Sequence, residues 1–381
     1  MKRRISLLIL TLGHFSIDFA CLYYFFTNYP QNGLIAGIGA ALFYNFLAFA
    51  LQAPIGYFFD RFQSKRSTSI GFLFVLCGYT CGLWKLSATG LILCGFGNAF
   101  YHVGGSIGIA RTDKKGLRDS GIFVSAGALG VSLGTYLAAC NQELSFSIAN
   151  LTTVIILLLL IALLLLQPMI LTPPKQTSAA LPEGTNAVLL ILSLIAVFIR
   201  SVGGLFFPSS YRNMFTFSGN TALTVFLLAM ASGVVAFSGK FLGGFLSNTC
   251  INLLHKYLPT KNIDIRRGNY IFGTITLLVS TVLLALGGDL PILCFLGIFC
   301  FHAAMPVTLF ELYSILPEHP GFAMGLSTLM LFLGYLPYAL APLDELPASL
   351  ILCILTLSAA GCMIASMIIY SKAKPKKEDK S

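Results

Sequence analysis

The sequence predicts an all-α membrane protein with twelve transmembrane helices arranged in two six-helix bundles. Three observations lead to this prediction: the composition, the recurrence of long apolar segments, and an internal repeat. Of the 381 residues, 56% are hydrophobic and only 10% are charged, and the mean hydropathy is +0.84. A soluble domain carries about 25% charged residues. A chain this apolar is therefore expected in a lipid bilayer, because in water it would expose large apolar patches.

Apolar windows long enough to cross a bilayer recur along the whole chain. A transmembrane helix needs about 20 apolar residues, and no alternating pattern typical of a membrane β-barrel is visible. The predicted spans cover residues 5–26, 33–58, 66–86, 88–110, 118–140, 146–170, 187–211, 219–246, 268–287, 289–312, 320–341 and 346–370. This pattern predicts an N-terminal bundle over residues 1–171, a cytoplasmic linker over 172–186, a C-terminal bundle over 187–370 and a cytoplasmic tail over 371–381.

The positions of the basic residues predict the orientation. With the N-terminus in the cytoplasm, twenty of the 24 lysines and arginines fall in cytoplasmic segments, whereas Lys85 and Arg212 fall in outer loops. The positive-inside rule then places both termini in the cytoplasm of a multi-pass protein of the cell membrane. The net charge of +10 reflects this distribution. Because no arginine-rich stripe with interleaved aromatics occurs, we expect no nucleic-acid binding.

The two halves of the sequence resemble each other. The first and seventh spans align without gaps, which places Arg200 over Asp18. The fourth and tenth spans place His302 over His102. Six spans separate the copies, so both halves enter the membrane in the same orientation. This arrangement predicts a solute site between the halves, near the middle of the membrane.

A charged motif follows the second span. The segment GYFFDRFQSKR contains Gly56, Asp60, Arg61, Lys65 and Arg66 in the spacing G-x-x-x-D-R-x-x-x-K-R, and it resembles the loop signature of the major facilitator superfamily. The first-span H-x-x-x-D, the fourth-span GFGNAFYHVGGS and the tenth-span ELYSILPEHPGFAMGL resemble the fosmidomycin-resistance branch. The resemblance implies the major facilitator fold and transport by alternating access. It also implies proton-driven efflux of small, often anionic compounds, and thus drug resistance by proton antiport.

The chain departs from these patterns in both halves. Val103 stands where the branch has proline after the histidine, and Thr135 follows Gly134 where drug–proton antiporters commonly have Gly-Pro. In the second copy of the loop signature, Asn248 replaces the acid. Import of a metabolite through the same fold, by proton symport or by facilitated diffusion, is therefore the alternative to efflux.

Ionisable residues within spans are candidates for function, because a charge at the centre of a transmembrane helix costs about 2.5–3.5 kcal/mol on insertion scales. Asp18 is the candidate for proton coupling, and Arg200 is the candidate for binding an anionic solute through bidentate hydrogen bonds. The alternative is a permanent Asp18–Arg200 ion pair that locks the halves together. His14, one turn before Asp18, either relays protons or orients Asp18. With Lys240, the spans carry one positive charge in excess, which favours an anionic solute.

His102, His302, Lys240 and Tyr24 are further candidates for solute binding. For the two histidines, packing through hydrogen bonds is the alternative. Because they have no evident carboxylate partner, we expect no metal site. Lys240 either attracts an anion or extends its ammonium group to the interface. Tyr24 either lines the cavity or belongs to an interfacial aromatic belt.

The loop signature is a candidate intracellular gate formed by Gly56, Asp60, Arg61, Lys65 and Arg66. In this hypothesis, Asp60 pairs with basic groups or helix ends of the other half when the protein faces outward. The alternative is that the basic cluster only anchors the topology.

No enzyme motif is present: the sequence lacks a Walker loop, a GxSxG elbow and an HExxH pair. We expect no cofactor. The expected partners are a small-molecule substrate, protons and the lipid bilayer, and we expect a monomer. An alternative of another class is a transport-dead membrane sensor or binding protein on the same scaffold.

Overall fold

The computed structural model describes residues 2–29, 34–62, 66–112, 117–140, 147–166, 181, 184–211, 221–257, 264–287, 290–340 and 347–373. Nearly all of these residues are helical and form twelve rods, two of which are interrupted. The helices are α1 (Lys2–Asn28), α2 (Leu34–Asn45), α3 (Gln52–Phe62), α4 (Arg66–Leu83), α5 (Ser87–Thr112), α6 (Leu117–Cys140), α7 (Ser147–Leu166), α8 (Thr185–Tyr211), α9 (Thr221–Tyr257), α10 (Ile265–Leu286), α11 (Pro291–Ala303), α12 (Met305–Ile315), α13 (Pro320–Leu340) and α14 (Ala348–Lys372).

The rods match the predicted spans in number and order. Nine helical segments of the described chain are long and apolar enough to cross a membrane. The other three rods are α4, α5 and α7; in α7 the apolar stretch is the shorter segment Asn150–Leu165. The predicted all-α membrane fold is confirmed. The predicted linker lies mostly outside the described residues.

Two rods are broken where the backbone departs from α-helical geometry. A π-helical turn, Phe46–Ala50, joins α2 to α3. Thr328 of α13 donates a hydrogen bond to the carbonyl of Phe49 in this turn at 3.0 Å. The second break lies at Ala304 between α11 and α12, just before Pro306, which has no N–H to continue the helical ladder. Both breaks leave main-chain oxygens for contacts with other rods.

Helices in the two halves pair in the same order, as the internal repeat predicts. Within the first half α1 packs on α6 and α7, and within the second half α8 packs on α13 and α14. In the same way α4 packs on α7, and α10 packs on α14. Gly134 of α6 lies against the backbone of α1 at Phe19, and Gly334 of α13 lies against α8 at Ser201. The aligned glycines thus make equivalent close contacts.

We call the end of the molecule where α1 begins and α14 ends the terminal end. Here α3 of the first half packs against the start of α13 of the second half. The approach is so close that a Cβ atom at Gly56 would overlap the main-chain carbonyl of Gly321, and one at Gly325 would overlap the backbone of Ala53. Only glycine permits backbones to approach this closely.

A second contact between the halves joins α6 to α9. A Cβ atom at Gly244 would meet the carbonyl of Leu117 at 2.8 Å, and one at Gly121 would meet the carbonyl of Lys240 at 2.8 Å. Gly244 is the residue that the repeat aligns with Gly56. The two interfaces therefore use the same position of the repeat, and together they hold the halves in contact near the terminal end.

We expect Gly56→Ala to loosen the contact between α3 and α13. The added methyl group has no space beside Gly321, and overpacking costs about 1–3 kcal/mol. Amide hydrogen exchange over residues 320–328 should become about tenfold faster or more. Gly39→Ala is the matched control, since a Cβ at Gly39 meets nothing within 4 Å. Unchanged exchange in Gly56→Ala would contradict the packing argument.

Candidate functional site

Two histidines and an aspartate meet inside the first half. His14 and Asp18 lie one turn apart on α1, with His14 Nε2 3.2 Å from Asp18 Oδ2. His102 of α5 brings its Nε2 to 2.8 Å from His14 Nε2 and to 3.6 Å from Asp18 Oδ1. All three residues are buried. We call His14, Asp18 and His102 the His–Asp cluster.

Backbone carbonyls determine which ring nitrogens carry protons. His14 Nδ1 lies 2.7 Å from the carbonyl oxygen of Phe123, and His102 Nδ1 lies 2.9 Å from that of Asn98. A carbonyl oxygen only accepts, so both Nδ1 atoms donate. In the neutral rings, both Nε2 atoms then carry lone pairs that face each other beside a carboxylate. Such a set of three acceptors is stable only when it shares a cation.

Neighbouring groups hold the His–Asp cluster in place. Asn98 Nδ2 donates to Asp18 Oδ1 at 3.0 Å. A Cβ atom at Gly127 of α6 would overlap Asp18 Oδ2 and crowd His14 Nε2, so glycine at this position provides the space for the cluster.

The His–Asp cluster agrees only in part with the sequence analysis. The predicted proximity of His14 and Asp18 is confirmed. His102 was paired with His302 by the repeat, and the expectation that it has no carboxylate partner is wrong, because Asp18 lies beside it. The reason given against a metal site therefore does not apply to His102.

A cavity of about 250 Å³ lies mainly within the second half. We call it the cationic pocket, because Arg200, Lys240 and His302 line it and none of its described lining residues is acidic. Its other lining residues are Val124, Val197, Ser201, Gly204, Phe301, Met305, Thr308, Leu309, Met324, Ser327, Thr328 and Leu331. Val124 comes from the first half. The expected solute site between the halves is therefore asymmetric.

Arg200 is buried in this pocket and has no acidic partner among the residues that the structure describes. Its Nη2 donates to the carbonyl of Phe301 at 3.2 Å, and its Nη1 lies 3.4 Å from the hydroxyl of Thr308. Its Nε has no hydrogen-bond partner within the described chain. The Asp18–Arg200 ion pair considered as an alternative is not formed, since Asp18 bonds within its own half. A buried guanidinium with a free donor favours an anionic ligand.

Lys240 lies deeper than its sequence position indicates. The predicted span ended at residue 246, but α9 continues to Tyr257, because its polar last turns are compatible with a helix outside the hydrocarbon. Of the two alternatives for Lys240, its position in the pocket wall favours an interaction with an anion over extension to the interface. Its half-buried side chain lines the cationic pocket and interacts electrostatically with both Asp18 and Arg200.

Tyr24 does not line the cationic pocket. Its hydroxyl donates to the carbonyl of Ser87 at 3.2 Å, and its ring lines a separate cavity among α1, α4 and α7. This places the solute-binding candidate Tyr24 inside the first half, near the opposite end from the termini.

At the terminal end, Asp60 forms the contact that the gate hypothesis requires. Its carboxylate accepts hydrogen bonds from the main-chain amides of Gly321 at 2.9 Å and Phe322 at 2.8 Å. These amides belong to the first turn of α13, where unpaired N–H groups and the helix dipole favour an anion. The partner is thus a helix end of the other half.

The basic residues of the signature lie at the surface. Arg61 is exposed and donates to the hydroxyl of Tyr57, one turn earlier, at 2.6 Å. Arg66 is also exposed at the start of α4. Lys65 lies outside the described residues. These positions fit the anchoring role as well as the gate.

Two buried polar residues, Asn98 and Glu311, were not among the candidates predicted from the sequence. Asn98 lies in the quoted fourth-span motif but was not considered as a partner of Asp18. Glu311, within the tenth predicted span, forms a bidentate pair with Arg266 of α10, with one bond of 2.7 Å. The acid inside an apolar segment was a visible signal. The charges of Glu311 and Arg266 therefore compensate each other.

The family assignment follows from the chain as a whole. Residues 5–342 match the family model described as Major Facilitator Superfamily. The chain belongs to the Major Facilitator Superfamily. It is therefore a multi-pass membrane transporter and not an enzyme. A comparison with curated proteins gives no match.

Solved structures of other transporters share this superfamily fold. A variant of the E. coli fucose:proton symporter FucP is 13% identical with a TM-score of 0.64, over 96% of this chain and 99% of that chain. FucP in the outward conformation is 14% identical with a TM-score of 0.65 over the same shares. A bacterial homologue of the iron transporter ferroportin in the outward-facing state is 15% identical with a TM-score of 0.56. The match covers 96% of this chain and 98% of that chain. These identities establish the fold alone.

We expect Asp60→Asn to weaken the closed contact at the terminal end. The amide side chain retains one acceptor oxygen and loses the charge, and a hydrogen bond to a charged group contributes about 1.5–3 kcal/mol. Amide exchange at Gly321 and Phe322 should accelerate, and transport turnover should slow while solute binding persists. Exchange and turnover equal to those of the unmodified protein would exclude the gate.

Proposed function

We propose that this transporter moves a small organic anion by alternating access, coupled to protons. The observation that carries the proposal is the cationic pocket: Arg200, Lys240 and His302 face a cavity with no acidic side chain among its described lining residues. Burying uncompensated positive charge is costly. An anionic solute that reaches Arg200 would supply the missing counter-charge and accept from its free Nε.

The His–Asp cluster is the proposed proton site. Its three acceptors face one another, and a shared proton would let one imidazolium donate from Nε2 to the other ring or to the carboxylate. Asp18 and His14 keep the coupling roles suggested by the sequence, and His102 joins them. This assignment moves His102 from solute binding to proton coupling.

The charges of the two sites favour movement of proton and anion together. Lys240 interacts electrostatically with Asp18 on one side and with Arg200 on the other. A proton on the His–Asp cluster removes negative charge near the pocket, which raises the affinity of the pocket for an anion. Linkage is reciprocal, so a bound anion also favours the proton. Mutual strengthening fits symport, and the fucose:proton symporter FucP has this fold.

Proton-coupled efflux is the second candidate. The resemblance of the first, fourth and tenth spans to the fosmidomycin-resistance branch supports it. An antiporter needs proton and solute to weaken each other's binding, which is the opposite sign of linkage. Accumulation of the solute in inverted and in right-side-out vesicles, each with an imposed pH gradient, separates efflux from import. Binding without any accumulation would favour the transport-dead sensor.

The conformational cycle uses the two bundles as moving bodies. We propose that residues 1–171 and 187–370 rock about the two sites, that residues 172–186 link them, and that both termini and the tail 371–381 lie in the cytoplasm. The contact of Asp60 with α13 then closes the cytoplasmic side. The protein acts as a monomer in the cell membrane.

We expect Asp18→Asn to abolish pH-driven transport while leaving solute binding and solute exchange measurable. The substitution removes the charge that responds to protons and leaves the cationic pocket intact. The measurement is uptake into proteoliposomes with and without a pH gradient. Asp119→Asn, at another buried acid of the first half, serves as the control. Normal gradient-driven uptake by Asp18→Asn would remove the coupling role.

We expect Arg200→Ala to weaken binding of an anion about 10- to 150-fold, which corresponds to about 1.5–3 kcal/mol for hydrogen bonds to a charged group. A thermal-shift screen of small carboxylates and phosphonates, each paired with its neutral amide or ester, first identifies the anion. Binding of the neutral analogue should change little. Arg200→Lys should retain part of the affinity, because it keeps the charge and loses the planar fork. Equal losses for anion and analogue would argue for a structural role.

A further inference from the structure

We propose that the His–Asp cluster is also a binding site for a divalent transition metal ion, with Zn²⁺ as the ion of best fit. Two imidazole nitrogens and one carboxylate form a ligand set found in zinc sites that keep a fourth position open. The proposal goes beyond the transport function and does not depend on it.

The distances within the cluster suit a tetrahedral ion. His14 Nε2 lies 2.8 Å from His102 Nε2 and 3.2 Å from Asp18 Oδ2, and His102 Nε2 lies 3.6 Å from the other carboxylate oxygen, Asp18 Oδ1. With metal–ligand bonds of about 2.0–2.1 Å, tetrahedral geometry places ligand atoms about 3.3 Å apart. The carboxylate therefore turns one oxygen toward each imidazole, and small side-chain movements bring one or both oxygens to the ion. The three ligands come from α1 and α5.

Each ligand is oriented by a partner on its far side, as in established metal sites. A histidine that binds a metal usually donates its other ring N–H to a carbonyl or carboxylate. Here Phe123 and Asn98 supply the two carbonyls, and Asn98 Nδ2 donates to Asp18. Both Nδ1 atoms are thereby turned toward carbonyls, and both Nε2 atoms face the position of the ion.

A second observation at the same place points to a ligand. The side-chain oxygen of Asn98 is buried and has no hydrogen-bond partner in the described chain. It belongs to the amide group whose nitrogen donates to Asp18, so it lies beside the cluster. A water bound at the open position of the metal would donate a hydrogen bond to this oxygen. The buried acceptor would then have a hydrogen-bond partner.

Metal and proton exclude each other at this site, because both need the Nε2 lone pairs. The other titratable groups that interact electrostatically with Asp18 are Tyr44, Tyr101 and Lys240. Of these only Lys240 is a cation, and its charge opposes a divalent ion. Metal affinity should therefore rise when Lys240 becomes neutral.

The test is binding of Zn²⁺ and Co²⁺ to the full-length protein in lipid nanodiscs after removal of metals with a chelator. Calorimetry should give one strong site per chain, and X-ray absorption of the Zn²⁺ form should give nitrogen and oxygen ligands, two of them imidazole. Cysteine sulfur in the ligand shell, or no site above background, would overturn the proposal.

Variants assign the site. His14→Ala and His102→Ala should each weaken Zn²⁺ binding by at least about tenfold. In known metal sites, removal of a residue that only supports a ligand already weakens binding by about 10- to 100-fold. His255→Ala, at an exposed histidine near the end of α9 and outside both sites, is the control and should bind as the unmodified protein does. Equal affinity in all three variants, or equal loss in all three, would overturn the assignment.

Two further variants keep every ligand and guard against misfolding of the alanine variants. Gly127→Ala should weaken Zn²⁺ binding, because its methyl group would occupy the space of Asp18 Oδ2. Lys240→Met should strengthen binding by removing the opposing charge. Weaker Zn²⁺ binding in Gly127→Ala together with stronger binding in Lys240→Met supports the site. A change of affinity in the same direction in both variants, or no change, contradicts it.

Discussion

The burial of Asp18 and Arg200 in different halves, neither serving as counter-ion to the other, is the constraint on which the centre of this transporter depends. Asp18 accepts a hydrogen bond from an amide and lies beside two imidazoles of its own half, and Arg200 donates to a carbonyl and a hydroxyl of its own half. When the two halves separate near Asp18 and Arg200, neither side chain loses a charged partner. The electrostatic cost of the movement is therefore low. The same arrangement leaves each site incomplete until a ligand arrives.

The architecture was predictable because its causes are local and additive. Hydropathy over about 20 residues marks each span, basic residues mark the loops, and gapless alignment marks the repeat. The partner of Asp60 was also predictable in kind, since an acid at a helix end next to basic residues needs donors from elsewhere. The contact of His102 with Asp18 was not predictable. The alignment of His102 with His302 shows that the two positions are equivalent, but it does not show which neighbour each side chain contacts.

The ends of helices and the ion pairs between distant helices could also not be predicted from the sequence. Hydropathy falls after residue 246, yet α9 continues to Tyr257, because water tolerates a polar helix as well as a loop. Arg266 and Glu311 lie 45 positions apart, and their pairing depends on how α10 packs against α12. Such packing has no signature in either segment alone.

The two copies of the repeat have kept their backbone contacts and diverged in their side-chain chemistry. Gly134 and Gly334 hold equivalent helix pairs together, and Gly56 and Gly244 hold equivalent interfaces. On this shared frame the first half presents acceptors and the second half presents donors. A duplicated scaffold thus provides two chemically opposite sites at related depths.

The hydrogen bonds of Asp60 to α13 are made with main-chain amides, not with side chains. Every residue except proline supplies such a donor, so sequence drift at position 322 leaves the interaction available. Position 321 is further restricted by the space that Gly56 requires. The junction therefore takes its charged group from α3, whereas from α13 it requires only main-chain amides and the glycines that permit the close approach.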